Sequence, residues 1–217
     1  MPRKKSPQVD FLILGSGIAG MRAAIELAAH GHVLVLTKDE PLESSTEHAQ
    51  GGIAVALSED DEVSLHLHDT LRAGDGLCRE SAVHVLVEEG PKLIHELMEW
   101  GTRFDRNGTK LAFTREGAHS RSRVLHAHGD STGHEILRAL MAKARTLPSV
   151  RVQPFAFAID LLIEGDRVVG VLCLDEKAAT VREVRARSVL LATGGLGQAY
   201  RETTNPGVAC GDGVAAL

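Results

Sequence analysis

The chain has 217 residues and a formal net charge of -5, with 43% apolar but only 3% aromatic residues. That length holds one domain, or one domain and part of another, around a core built mainly of Val, Leu, Ile and Ala. The negative balance gives no reason to expect a nucleic-acid partner, the apolar runs are far short of a membrane span, and no signal-peptide h-region follows the basic tip Arg3-Lys4-Lys5.

Residues 1–9 read as a disordered lead-in. Phe11-Leu12-Ile13-Leu14 is a short continuous apolar run, the pattern of a strand buried on both faces. It enters Gly15-Ser16-Gly17-Ile18-Ala19-Gly20, then an Ala- and Leu-rich helix over 21–30 that Gly31 would stop, then a second apolar strand over 33–36. Residues 43–57 are small and polar, then apolar. Helical periodicity covers 64–73 and 80–100, the latter with Val83, Leu86, Val87, Leu93, Ile94, Leu97 and Met98. Residues 101–131 are polar, basic and irregular. Thr132 is placed to cap a helix over Glu135 to Leu147 that Pro148 ends. From Val150 the period becomes two. Strands over 150–163, 167–174 and 180–186 form an antiparallel meander, with Glu164-Gly165-Asp166 as its first turn. Ser188 to Ala192 is a further buried strand, and 211–217 read as the first turn of a helix. Cys78, Cys173 and Cys210 lack metal-ligand spacing and are expected as buried, reduced thiols in a reducing cytoplasm.

Gly15-x-Gly17-x-x-Gly20 has a physical logic. The first glycine permits a tight strand-to-helix turn, the second lets a pyrophosphate approach the backbone, and the third lets helix and strand pack closely. The phosphates would lie at a helix N-terminus, where free N–H groups and the helix dipole favour negative charge. The strand before it, the helix it opens and the strand beyond are the context that separates a dinucleotide site from a glycine-rich structural turn. The acid expected about 20 residues on to hold ribose hydroxyls is missing. The second strand ends Leu36-Thr37-Lys38, with Asp39 and Glu40 one or two residues late. Either the register slips or Lys38 serves that side of the ligand.

The stretch Ser44-Ser45-Thr46-Glu47-His48-Ala49-Gln50-Gly51-Gly52-Ile53-Ala54 resembles the flavin-contact loop of the succinate dehydrogenase / fumarate reductase flavoprotein superfamily. Within that superfamily the chain is most similar to the L-aspartate oxidases. The resemblance continues through Asp69-Thr70-Leu71-Arg72-Ala73-Gly74, the region 114–133, Ala192-Thr193-Gly194-Gly195, Thr203-Thr204-Asn205-Pro206 and Gly211-Asp212-Gly213, in the order of the family. It implies an α/β fold, a Rossmann-like FAD-binding domain with a parallel sheet and an antiparallel β-meander. It also implies that 10–217 is the N-terminal part of that domain, incomplete and truncated before the capping domain. FAD would lie with its pyrophosphate on Gly15, Ser16, Gly17, Ile18, Ala19 and Gly20 and its adenosine half near Lys38. The isoalloxazine ring would lie against Ser45, Thr46, Glu47, His48, Ala49, Gln50, Gly51 and Gly52, with further contacts from Thr193, Gly194 and Asp212. Where membrane-bound members carry a histidine that bonds FAD covalently, this chain has Ser45, so the resemblance implies noncovalent FAD. His48, three residues on, is read as a surface or packing histidine.

The stretch TREGAHSRSR, residues 114–123, sets Glu116 among Arg115, His119, Arg121 and Arg123. Cations suit a dicarboxylate through charge-assisted hydrogen bonds. A carboxylate beside them would repel succinate or fumarate but attract a substrate that also carries an ammonium. Glu116 occupies the position that aspartate oxidases associate with the substrate amino group, which implies that it orients aspartate. On pattern alone, a solvated Glu paired to a neighbouring Arg is the competing reading. Arg121 and Arg123 could each be surface charges, and His119 and His126 could line the cleft or simply pack.

The reaction implied is FAD-dependent oxidation of L-aspartate to iminoaspartate, with oxygen or fumarate as acceptor, as the first step of de novo NAD biosynthesis. Quinolinate synthase is the implied pathway partner and the cytoplasm the implied location. The family's catalytic Arg, capping domain and helical domain have no counterpart in these residues. The chain is therefore expected to be inactive alone and to present an unfinished sheet edge. Two alternatives remain beside this one: a soluble fumarate reductase or succinate dehydrogenase flavoprotein, and a noncatalytic dinucleotide-binding module.

Overall fold

A computed structural model describes residues 8–216. In chain order the elements are β1 (Val9–Leu14), α1 (Ile18–Leu27), β2 (Val33–Leu36), β3 (Ile53–Ala54), α2 (Val63–Ala73), α3 (Glu80–Glu99), β4 (Arg106–Asn107), β5 (Lys110–Leu111), β6 (Phe113–Thr114), β7 (Val124–Leu125), α4 (Thr132–Arg145), β8 (Val150–Gln153), β9 (Ala156–Glu164), β10 (Arg167–Asp175), β11 (Thr180–Leu191) and α5 (Asp212–Ala215). They form two compact units, one of residues up to His48 and from Leu140 onward, the other Ala49–Ala139. Among the described residues no helix is long and apolar enough to cross a membrane.

The first unit is a six-stranded sheet in the order β8-β2-β1-β11-β10-β9. β8, β2, β1 and β11 run parallel; β10 and β9 complete it as an antiparallel pair. Side chains alternate across the sheet. Leu12 and Leu14 of β1 join Leu34, Leu36, Val171, Cys173 and Val184 in one core. On the alternate positions Ile13, Val33 and Val35 are also buried, and α1, which packs on β1 and β2, buries Met21, Ala24 and Ile25. Both faces of the central strands are thus covered, which explains why they read as unbroken apolar runs. Each such Leu or Ile contributes about 1.5–3 kcal/mol by leaving water.

Five expectations are corrected here. The helix after the glycine turn starts at Ile18, with Gly17 as its N-cap, and ends at Leu27. The predicted strand 150–163 is two strands. Phe155, after Pro154, takes φ +55, and this left-handed residue sends the chain from β8, parallel to β2, into β9, antiparallel to β10. Conversely, the strands expected over 180–186 and 188–192 are one. β11 pairs with β10 through Arg185 and with β1 from Ala186, with no turn residue between. Thr132 is the first residue of α4, not a cap preceding it, and its Oγ1 accepts a hydrogen bond from Ala127 N at 3.2 Å. The lead-in ends sooner than expected, since Val9 already belongs to β1; residues 1–7 lie outside the described residues.

The second unit holds α2, α3, the three-stranded sheet β3-β7-β6 and the hairpin β4-β5. Strands β4 to β7 fall where 101–131 read as irregular, because two-residue strands carry no periodicity. α3 buries Val83, Val87, Ile94 and Leu97, but Leu86 and Leu93, expected inside, are exposed. Of the cysteines only Cys173 is buried, where desolvation pushes its thiol pKa up; Cys78 is half-buried and Cys210 exposed.

Candidate functional site

The C-terminal ends of the parallel strands β1, β2 and β11 meet at one cleft of about 290 Å³ in the first unit. Beyond the strand ends the ladder continues, with Gly15 N donating to Leu36 O and Ala192 N to Leu14 O, both at 2.8 Å. In parallel sheets this end, where the first helix also points its free N–H groups, is where ligands bind. Ile18 N already donates to Thr46 Oγ1 at 3.1 Å, which ties the turn to the Ser44–Thr46 segment. Ser16 Oγ donates to Pro41 O at 2.8 Å.

The three turn glycines have different causes. Gly15 has φ +110, and a Cβ on it would stand 2.2 Å from Ala192 O. A Cβ on Gly20 would stand 2.0 Å from Gly15 O. The fold itself requires both. Gly17 has φ -68, and its Cβ would meet Thr46 Oγ1 only at 3.4 Å, ordinary contact. Neither conformation nor packing needs glycine there; a ligand lying on the backbone would. Gly195 has nothing within 4 Å of a Cβ; Gly194 has equal room, but its φ of +74 itself favours glycine. The cleft is thus a backbone cradle that side chains would fill, and it fits an extended diphosphate ligand such as FAD.

Lys38 from the end of β2 places Nζ 2.5 Å from Asp212 Oδ2, both side chains about one-fifth exposed. Of the three candidates at that strand end, Lys38 reaches the main cleft. Asp39 and Glu40 instead line a neighbouring hollow, and Asp39 Oδ1 accepts from Glu40 N. Thr193 lies against Gly213, and Gly211 N donates to Gly195 O at 3.1 Å, so the Gly211–Gly213 turn is built onto Thr193–Gly195. Of the loop expected at the flavin ring, Ser45 and Thr46 line the cleft. Glu47 N donates to Ser44 O, and His48 turns to Glu43 at 3.3 Å. Ala49, Gln50, Gly51 and Gly52 belong to the second unit, where Gly52 leads into β3 with φ +77. Sequence reasoning missed Ala156–Ala158 of β9 and Val208-Ala209, which also line the cleft. Pro154 was the signal that a strand restarts there.

In the second unit the cations around Glu116 have structural work. Arg123 is fully buried. Its Nε and Nη2 donate to Asp61 at 2.8 Å and its Nη1 to Asp69 at 2.7 Å. Ser120 donates through N and Oγ to the same Asp69 oxygen, both at 2.7 Å. Burial raises the Asp69 pKa, but the bonds from Ser120 and Arg123 outweigh that and hold it at about 2. His66, buried beside this group and 5.9 Å from the His119 ring, has its pKa lowered by desolvation and by Arg123. Arg115 Nε donates to His119 O and Arg121 Nε to Asp60 O. Glu116 itself stays half-exposed, with Oε1 3.7 Å from His126 Nε2. Asp61 and Asp69 were not foreseen as partners of this loop, although Asp69 lies inside one of the quoted motifs.

A nucleotide cradle at the carboxyl ends of a parallel sheet, extended by an antiparallel meander, defines a dinucleotide-binding flavoprotein fold. The chain belongs to the FAD binding domain family, whose model matches residues 10–217, and its cofactor is FAD. It is 46% identical over 211 residues to L-aspartate oxidase 2-b of Nicotiana tabacum, covering 95% of this chain and 32% of that protein. It is 43% identical over 210 residues to L-aspartate oxidase of a Nostoc species, covering 96% of this chain and 36% of that one. The chain therefore spans about a third of the length of these curated relatives. Among solved structures, E. coli quinol fumarate reductase FrdA superposes with a TM-score of 0.90 at 32% identity, over 94% of this chain and 36% of that one. Mycobacterium smegmatis Sdh1 gives 0.90 at 29% identity, over 96% and 37%.

Proposed function

We propose that the natural protein carrying this chain is a flavin oxidoreductase that oxidises L-aspartate to iminoaspartate. Two electrons and two protons leave the amino acid for oxygen, giving hydrogen peroxide, or for fumarate, giving succinate. FAD, when bound, supplies the two-electron acceptor for the substrate. The backbone from Gly15 to Gly20 would hold its diphosphate, with Lys38 and Asp212 on one side and Ser45 and Thr46 on another. The loop from Glu47 through Gly52, with Thr193 and Gly194, would complete the contacts. Ser45 offers no imidazole for a covalent bond, so the flavin is held noncovalently and acid precipitation should release it into the supernatant.

One observation carries the choice of substrate: Glu116 keeps a half-exposed carboxylate while Arg121 and Arg123 beside it are engaged with Asp60, Asp61 and Asp69. A carboxylate whose neighbouring arginines are engaged elsewhere suits an ammonium. Two unit charges at 4 Å attract by about 1 kcal/mol in water and about 4 kcal/mol at an effective dielectric of 20, enough for one residue to select aspartate over succinate once the pair is shielded from water. The acid/base Arg of this reaction lies outside residues 1–217 in this reading, so these residues alone bind and orient without turnover. Iminoaspartate hydrolyses in water, so a second enzyme must use it promptly; in this reading that enzyme is quinolinate synthase, with the oxidation placed as the first step of NAD biosynthesis, in the cytoplasm.

The test is the flavin spectrum of the natural protein mixed anaerobically with substrate. Bleaching by L-aspartate and not by succinate is expected. Bleaching by succinate alone would replace this reading with a succinate dehydrogenase or fumarate reductase flavoprotein. A protein that binds FAD and is bleached by neither would be a binding module.

A further inference from the structure

We propose that His126 is a positioning residue for Glu116 and so a determinant of substrate choice; this rests on the reading of Glu116 given above. The small sheet β3-β7-β6 brings three separate segments together. Ile53 and Phe113 both pair with Leu125. Gly52 therefore leads into the sheet beside His126, which follows β7, while Glu116 lies two residues beyond β6. A Cβ on Gly52 would stand 2.9 Å from His126 Cε1, so the loop backbone packs directly on the imidazole. The main chain of His126 is pinned from the other side, its carbonyl accepting from Asp105 N at 2.8 Å.

The ring edge is held in place by Thr114, whose Oγ1 lies 3.0 Å from His126 Nε2 and 3.4 Å from Val124 O. A hydrogen bond between Nε2 and that hydroxyl fixes the imidazole in either tautomer. The same nitrogen lies 3.7 Å from Glu116 Oε1, beyond a hydrogen bond but within ion-pair range when the imidazole is protonated. His126 is one-fifth exposed and Glu116 about half. A held imidazole edge thus stands behind a half-exposed carboxylate and confines it to one side, with its outer oxygen left for a ligand ammonium. Pre-setting the acid in this way spares the ligand the ordering of that side chain.

The test uses the FAD-loaded natural protein and equilibrium titration of its flavin absorbance with two ligands. Succinate lacks an ammonium; α-methyl-L-aspartate carries one but has no α-hydrogen to lose. The readout is the ratio of their dissociation constants. Glu116→Gln should lower the preference for the amino ligand on the order of tenfold, and His126→Phe roughly fivefold. In the double variant His126→Phe should add nothing to Glu116→Gln. His126→Gln, which keeps an N–H donor at similar reach, should restore most of the preference and serves if the Phe variant does not fold. If Glu116→Gln leaves the ratio unchanged, the substrate reading fails and this proposal with it. If Glu116 matters but His126→Phe acts equally in both backgrounds, or the Gln variant restores nothing, the positioning role is overturned and the substrate reading stands.

Discussion

Arg123 and Asp69 form a buried ion pair, with Nη1 2.7 Å from Oδ2 and the Arg side chain wholly out of contact with solvent. The second fork of the guanidinium is taken by Asp61, whose side chain is equally buried. Such a group contributes little over a well-packed apolar cluster, but breaking it strands charges. Arg123→Leu leaves two carboxylates facing each other and should lower stability by about 3–5 kcal/mol. Arg123→Lys keeps the charge without the planar fork and should fall between. Urea denaturation of the natural protein measures both; a loss under about 1 kcal/mol in the Leu variant would show that this cluster does not hold the 114–126 segment.

The same group gives a pH dependence. Asp69 titrates at about 2 in the fold against an ordinary 3.8. A depressed carboxylate pKa means that the unfolded chain binds the proton first. Its stabilisation is therefore present above about pH 4 and lost between about pH 4 and 2, with a magnitude of about 2 kcal/mol. His66 adds a second loss that begins higher. Its pKa is also lowered, so the unfolded histidine takes up a proton as pH falls below its usual 6.5, while the buried one resists. Stability of the wild type and of Asp69→Asn, followed from pH 7 to 2.5, should converge toward the acid end. A constant gap across that range would exclude Asp69 as the source.

The glycine turn separates fold from ligand. Gly15→Ala forces a Cβ into Ala192 O at a backbone angle unfavourable for L residues, and should destabilise by about 2 kcal/mol or more. Gly17→Ala sits at an ordinary φ with only ordinary van der Waals contact to Thr46 and Ser44, and should leave the melting temperature unchanged or slightly raised. It should nonetheless weaken FAD binding at least tenfold, by standing where the diphosphate must approach. Thermal melts of the apoprotein and flavin fluorescence titrations separate the two effects. Intact flavin affinity in Gly17→Ala would move the diphosphate elsewhere.

The legible parts of this fold are those with strong local causes. Apolar runs gave β1 and β2 because both their faces are covered, and periodicity gave α2 and α3 to within a residue. What was not legible depends on pairing. Whether 180–191 is one strand or two is decided by β10 and β1, which flank it on one side and then the other, and nothing in residues 186–188 announces the change. In the candidate site the glycine turn was readable because its chemistry is contiguous. The partners of Arg123 lie 62 and 54 residues away, so one buried fork looked like another surface cation in a basic loop.

Lys38 and Asp212, 174 residues apart, meet at 2.5 Å in the cleft proposed here for the cofactor, and each sets the charge the other presents. Lys38→Met leaves the Asp212 carboxylate without its counter-charge in a cleft that must accept a diphosphate. The expected result is FAD affinity lower by tenfold or more, with a larger loss at low ionic strength, where repulsion is less screened. Asp212→Asn removes that repulsion, so Lys38→Met/Asp212→Asn should bind FAD better than Lys38→Met alone. Flavin fluorescence titration of the three variants at two salt concentrations closes the cycle. Strictly additive losses would mean that the two residues act on the ligand independently and that their ion pair has no part in preparing the cleft.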